Sequence, residues 1–252
     1  MGGAVLQAEG LSKTFGGVQA VHMVDLEVAP ATVVGLIGPN GAGKSTVLGM
    51  LAGAIRPDRG RVVLSDRDVA GRPSHRMAEL GVIRTFQTAS VFPQLTVLEN
   101  LLLGFKPWRG ERPWWALFPR TWRAEEVGQV ERARQMLDRL GLSRHANDLA
   151  ASLSGGERRL LEIGRALLAE PVVLLLDEPM AGVAPHLAEP LAALIEGLSQ
   201  EGTAIILVEH EMRVIERLCH RVIVMAGGKV IMQGTLEEVR ANQEVRMAYL
   251  GQ

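Results

Sequence analysis

Two patterns of apolar and polar positions alternate along the chain. Residues 32–37, 171–176 and 203–208 are apolar without polar alternation. Such runs read as strands covered on both faces, as in a parallel sheet between helix layers. Residues 5–11 alternate instead, with Val5, Gln7 and Glu9 against Leu6 and Ala8, and predict a half-buried strand. Residues 19–28, 61–64 and 82–86 are further strand-like stretches, and residues 222–232 around Gly227-Gly228 predict a hairpin. Helices are expected over 47–53, from Val97 behind the Thr96/Glu99 capping box, and over 123–140 with Gly141 as C-cap. Others are expected over 158–168 behind Ser154/Glu157, over 185–198 from Pro185, after Thr235, and over 244–250.

The stretch Gly38-Pro39-Asn40-Gly41-Ala42-Gly43-Lys44-Ser45-Thr46 lies between a predicted buried strand and a predicted helix. That context turns a Gly-rich pattern into a phosphate site. Its glycines permit the backbone to turn several N–H groups inward, and the helix that follows adds free N–H donors and the positive end of its dipole. Lys44 supplies a charge for the β- and γ-phosphates, and Ser45 a hydroxyl for Mg²⁺. The ligand expected is a nucleoside triphosphate with Mg²⁺.

Other polar residues sit where strands end, the place where open α/β sheets bind ligands. Asp177 and Glu178 follow the apolar run 171–176, so Asp177 suits an Mg²⁺ partner and Glu178 can orient or deprotonate a water. Gln87 follows 82–86, either projecting into a ligand site or simply hydrogen-bonded in its loop. His210 follows 203–208, where it either meets a γ-phosphate or serves the structure alone. Phe15 falls on an expected loop between two strands, as a stacking surface for adenine or a hydrophobic plug. Ser154, Gly155 and Gly156 open a helix with Glu157 at capping-box distance, which makes a second anion site or an ordinary capped helix.

Composition narrows the class. Of the 252 residues 47% are hydrophobic and the net charge is −1, so there is core enough for one large α/β domain and no global basic field for nucleic acid. Cys219 is the only cysteine, which excludes an internal disulfide and suits a reducing compartment. No basic N-terminal region precedes an apolar stretch, so no signal peptide is expected, and no apolar run approaches the ~18 residues of a membrane span. If the protein works at a membrane, something else holds it there. Residues 105–123 stand apart. They carry all four tryptophans (Trp108, Trp114, Trp115, Trp122), three prolines, and Lys106, Arg109, Arg112, Arg120 and Arg123 against the single acid Glu111. An irregular excursion is expected there, either a contact surface for a membrane partner or headgroups, or a loop folded on its own aromatics.

Taken in order, Phe15, the Gly38–Thr46 loop, Gln87, Leu153-Ser154-Gly155-Gly156-Glu157, Leu174-Leu175-Leu176-Asp177-Glu178 and His210 resemble the ordered motifs of ABC-type ATPase subunits. The resemblance covers essentially the whole chain. It implies an α/β fold: a RecA-like P-loop NTPase core with an antiparallel β subdomain (residues 1–87 and 167–252) and an α-helical signature subdomain (88–166). It also implies roles. Phe15 stacks on adenine, Gln87 senses Mg²⁺ and the membrane partner, and Ser154 to Glu157 form the signature that caps ATP held by a second subunit. Asp177 is the Mg²⁺-linked acid, Glu178 the catalytic base and His210 the switch histidine. Arg84-Thr85-Phe86-Gln87, Glu209-His210-Glu211-Met212 and Ala248-Tyr249-Leu250-Gly251 are similar to the ATP-binding subunits of branched-chain amino-acid importers. Urea-type importers and the lipopolysaccharide exporter are close cousins, and soluble ABC proteins of repair or translation are the rival class. The expected partners are transmembrane permease subunits, a second ATPase subunit and, indirectly, a solute-binding protein. The expected place is the cytoplasmic face of the inner membrane. One departure is Ala184, where many family members carry Asp or Asn, so a polar contact across the dimer is expected to be missing.

Overall fold

The computed structural model describes residues 4–85, 90–106 and 119–250, except for the side chains of 119–123 and 248–250. Backbone packing divides the chain into two units, residues 1–87, 172–180 and 195–252 in one and residues 88–171 and 181–194 in the other.

The first unit holds two sheets. The antiparallel one is built from β1 (Leu6–Phe15), β2 (Val18–Val28), β4 (Arg59–Leu64) and β5 (Arg67–Asp68) in the order β2-β1-β4-β5. The larger sheet contains β3 (Val33–Ile37), β6 (Val82–Arg84), β7 (Val173–Asp177), β8 (Ala204–Val208), β9 (Arg221–Ala226) and β10 (Lys229–Gly234), ordered β10-β9-β3-β8-β7-β6. Pairing is parallel from β9 through β3, β8 and β7 to β6, and only the β9–β10 hairpin is antiparallel. Every residue of β3, β7 and β8 is buried, as their unbroken apolar runs predict. The helices of this unit are α1 (Lys44–Leu51), α2 (Ser74–Glu79), α7 (Met212–Leu218), α8 (Leu236–Ala241) and α9 (Gln243–Leu250).

The second unit is helical, with α3 (Val97–Leu102), α4 (Pro119–Arg139) and α5 (Gly155–Leu168). Asn100, 1% exposed, donates to the carbonyls of Phe92 and Thr96 at 3.0 and 2.9 Å and accepts from the Phe92 N–H at 2.8 Å, fixing the approach to α3. A Cβ at Gly164 would lie 2.5 Å from Leu140 Cδ1, so a glycine is what lets α5 close on its neighbours. Helix α6 (Pro185–Gln200) runs through the division at residues 194 and 195.

Several boundaries differ from expectation. Helix α1 starts at Lys44 rather than Val47, so Lys44, Ser45 and Thr46 form its first turn. Helix α4 starts at Pro119 rather than Arg123, because a proline at the first helical position gives up no hydrogen bond. Phe15 ends β1 rather than lying in the loop, paired with Val18. Helices α2 and α7 have no counterpart among the expectations: they bury only Met77, and Ile215 with Leu218, too few positions to show a period. The tryptophans Trp108, Trp114 and Trp115, like Gln87, lie outside the described residues, as does the Trp122 side chain.

Gly60 has φ +90°, and a Cβ there would lie 2.5 Å from the carbonyl oxygens of Glu9 and Gly10. Gly128, inside α4, has open space where a Cβ would go. Gly60→Ala is therefore expected to destabilise by about 2 kcal/mol or more, whereas Gly128→Ala stabilises by up to about 1 kcal/mol; urea unfolding midpoints of the two variants read the opposite signs. The carbonyl of Ala184 accepts from the Leu187 and Ala188 N–H groups at 2.8 and 3.2 Å, so Ala184 stands at the N-cap of α6 with no side-chain acceptor. Ala184→Asp is expected to raise stability by about 0.5–1 kcal/mol, measured in the same way.

Candidate nucleotide-binding site

The turn between β3 and α1 is shaped by close approach. A Cβ at Gly38 would lie 2.1 Å from the Met225 carbonyl oxygen, and one at Gly43, with φ +98°, 2.5 Å from that of Ala20. Only glycine fits at either place. Gly43 is also the N-cap of α1, left-handed and without any side-chain hydrogen bond. The contrast with α3, α5 and α8 is direct, because each of those begins with a complete Thr/Ser–Glu capping box. The first N–H groups of α1 have no such partner, and an anion at this tip would satisfy them. A cavity of about 280 Å³ opens there, lined by Ala20, residues 40–46 and Glu178.

Lys44 is 6% exposed and donates to the carbonyls of Gly38 and Pro39 at 2.7 and 2.9 Å. Burial lowers its pKa, and the charges of Glu178 and Asp177 oppose that shift. Its ammonium thus sits inside the turn, facing two carboxylates from β7 and the residue after it. Ser45 is exposed at the cavity, while Asp177 is 2% exposed at the end of β7. Glu178 has φ +49°, a left-handed conformation unusual for a residue with a side chain, and its N–H is bonded to the Val208 carbonyl at 2.9 Å. His210 Nε2 lies 3.0 Å from Glu178 Oε1. Lys44, Ser45, Asp177, Glu178 and His210 are therefore brought together by the ends of β3, β7 and β8.

Two charged residues without an expected role stand beside them. Glu209, 5% exposed, accepts from the Met180 N–H at 2.8 Å and the His210 N–H at 3.2 Å. It links the loop after Glu178 to the loop carrying His210. Burial raises its pKa, and these two N–H donors partly oppose the rise. Arg84 bridges to Asp177 at 2.9 Å. The signal available in the sequence was a charge set against a buried apolar strand, which needs an opposite charge or donors within reach. Phe15 keeps 47% of its surface exposed beneath the Lys13 ammonium, 5.5 Å from the ring centroid, so it is not a buried plug.

In the second unit Ser154 accepts from the Glu157 N–H at 3.3 Å and donates from its hydroxyl to Glu157 Oε2 at 2.8 Å. The Ser154 N–H bonds the same oxygen at 2.9 Å and holds the Glu157 carboxyl below the usual carboxylate range. Ser154 and Gly155 are exposed, and Gly156 packs near Leu187.

Residues 21–181 match the family described as ABC transporter, and residues 229–252 match that described as Branched-chain amino acid ATP-binding cassette transporter. The chain is 39% identical to the high-affinity branched-chain amino acid transport ATP-binding protein LivG of Escherichia coli K12, with 98% of each chain covered. It is 37% identical to BraF of Pseudomonas aeruginosa at the same coverage. Among solved structures, a nucleotide-free ATP-binding cassette from an ABC transporter superposes with TM-score 0.85 at 34% identity, covering 99% of this chain and all of that one. A cassette in its ADP conformation superposes with TM-score 0.84 at 36% identity, covering 99% of each. A P-loop whose helix is left for an anion to cap, facing paired carboxylates, agrees with these matches: the chain belongs to the ABC transporter family, as one of its ATP-binding, ATP-hydrolysing subunits.

Proposed function

We propose that this subunit powers import of branched-chain or other hydrophobic amino acids, by closing and reopening with a second ATPase subunit around ATP. The substrate class is carried by the separate match over residues 229–252, which lies outside the phosphate-binding turn and the catalytic loops. The LivG and BraF relatives, similar along their whole length, support the same class. Among the described residues no helix is long and apolar enough to cross a membrane. In this reading the subunit is peripheral, on the cytoplasmic face and docked on transmembrane permease subunits, with a solute-binding protein acting at a distance.

ATP enters with its phosphates at the α1 tip. The Lys44 ammonium exchanges the Gly38 and Pro39 carbonyls for β- and γ-phosphate oxygens, while Phe15 stacks on adenine. Ser45 and Asp177, with Gln87, would hold Mg²⁺. Among the described residues no group of three or more His, Cys, Asp or Glu side chains forms a metal cage. That fits a magnesium ion shared with substrate phosphates rather than one enclosed by protein. The ion would draw negative charge from the phosphate oxygens during transfer. Glu178 takes a proton from the attacking water, and His210, within hydrogen-bond reach of Glu178, faces the γ-phosphate and holds the carboxylate in place. Ser154, Gly155, Gly156 and Glu157 cap the γ-phosphate bound by the other subunit. Loss of that shared phosphate on hydrolysis lets the pair open.

Glu178→Gln should retain ATP binding, lower kcat by about two orders of magnitude or more, and accumulate an ATP-dependent dimer in size-exclusion chromatography; wild-type turnover in this variant would remove Glu178 as base. Lys44→Ala should lose measurable ATP affinity in calorimetry. The substrate class is tested in proteoliposomes in which the subunit is reconstituted with branched-chain amino-acid permeases and their binding protein. ATP-driven leucine uptake is expected, and uptake of urea alone would assign the subunit to the urea-type systems.

A further inference from the structure

Strands β6 and β7 run parallel with Arg84 opposite Leu175, which places Arg84 and Asp177 on one face of the sheet, two residues out of step. The guanidinium reaches along β7 to the carboxylate, Nη2 to Oδ2, at 2.9 Å. Its side chain is 15% exposed and that of Asp177 is 3% exposed. Space for it comes from α1, where a Cβ on Gly49 would lie 3.3 Å from Arg84 Nη1. A full positive charge is thus packed between the phosphate-binding helix and the carboxylate that faces the metal in the reading above.

On that reading, we propose that Arg84 is a resident counterion for Asp177, one that Mg²⁺ displaces when Mg·ATP binds, so that Arg84 sets how strongly ATP affinity depends on the metal. The argument is electrostatic. A carboxylate taken out of water needs a positive neighbour, and before nucleotide arrives the guanidinium provides it. Arginine does not deprotonate in proteins, so it cannot yield to a metal by losing its charge. A divalent ion approaching Asp177 must therefore repel the guanidinium or share the carboxylate with it, and either weakens metal binding. In the absence of metal the same guanidinium offsets repulsion between Asp177 and the phosphates, and so favours metal-free ATP. Arg84 acts through Asp177, as a positioning residue.

The test compares wild type, Arg84→Met and Arg84→Lys with a non-hydrolysable ATP analogue, adenylyl imidodiphosphate, and Mn²⁺ followed by electron paramagnetic resonance. Arg84→Met should tighten Mn²⁺ binding to the protein–analogue complex at least about tenfold, the lower bound set by the repulsion of one nearby charge screened as fully as in bulk water. It should also weaken metal-free analogue binding. Arg84→Lys, which keeps the charge, should stay close to wild type in both. An unchanged or weaker Mn²⁺ affinity in Arg84→Met, or equal shifts in the Met and Lys variants, would overturn the proposal. If Arg84→Met does not fold, Arg84→Gln makes the same comparison with a shorter polar side chain. Failure of the wild-type protein to bind the analogue with or without Mn²⁺ would instead overturn the nucleotide-site reading, and this inference with it.

Discussion

A carboxylate that is 2% exposed at the tip of a fully apolar strand must be balanced by positive charge, and much of the site follows from how Asp177 meets that demand. β7 is apolar because it is an inner strand of the large sheet, with β8 on one side and the edge strand β6 on the other. Its charged end can therefore be neutralised only by what the neighbouring strands and α1 deliver. β6 delivers Arg84, and the start of α1 delivers Lys44, whose pKa burial lowers while Glu178 and Asp177 oppose the shift. The acids oppose the downward shift that burial imposes on the lysine. The lysine and arginine in turn let the acids exist there. Removing any one of these charges changes the electrostatic environment of the others, so variants here are expected to be non-additive.

Geometry at the next residue is maintained at some cost. Glu178 is held at φ +49°, and a residue with a Cβ adopts that conformation only where its surroundings enforce it. Three contacts do so: the Glu178 N–H on the Val208 carbonyl, the Glu178–His210 contact, and Glu209 receiving the Met180 and His210 N–H groups. Glu209 sits behind the two residues and ties their loops to each other. The 3.0 Å separation of Glu178 and His210 therefore depends on a buried carboxylate that faces away from solvent, and on the register of β7 against β8.

The parts of the molecule legible in the sequence are those fixed by local physics. Unbroken apolar runs marked β3, β7 and β8 because burial on both faces leaves no room for polar alternation. Capping boxes marked α3, α5 and α8 because Thr96, Ser154 and Thr235 each find a glutamate one turn on. The phosphate-binding turn was legible for the same reason, since its glycines and lysine are consecutive. What escaped was non-local. Arg84 and Asp177 are 93 residues apart, and Glu209 meets Met180 across 29. Neither partner carries a signal until strand order is known. Short helices such as α2 escaped because six residues hold too few buried positions to define a period. The early start of α4 at Pro119 escaped because proline ends most helical patterns, although at a first turn it is compatible with a helix.

The helix tips carry the last step. α1 begins at an uncapped glycine, so a phosphate arriving there meets donors with no competing acceptor. The α5 tip differs, because Glu157 already occupies both the Ser154 N–H and its hydroxyl and carries a stabilised negative charge. A free triphosphate would be repelled from it. On the proposed two-subunit reading, the barrier falls once the phosphate charge has been reduced by Lys44 and a metal in the other subunit, and Gly155, exposed and without a side chain, then allows the close approach. The order of events then follows from capping chemistry and charge together: the uncapped tip takes the nucleotide first, and the self-capped tip joins only after that charge is largely neutralised.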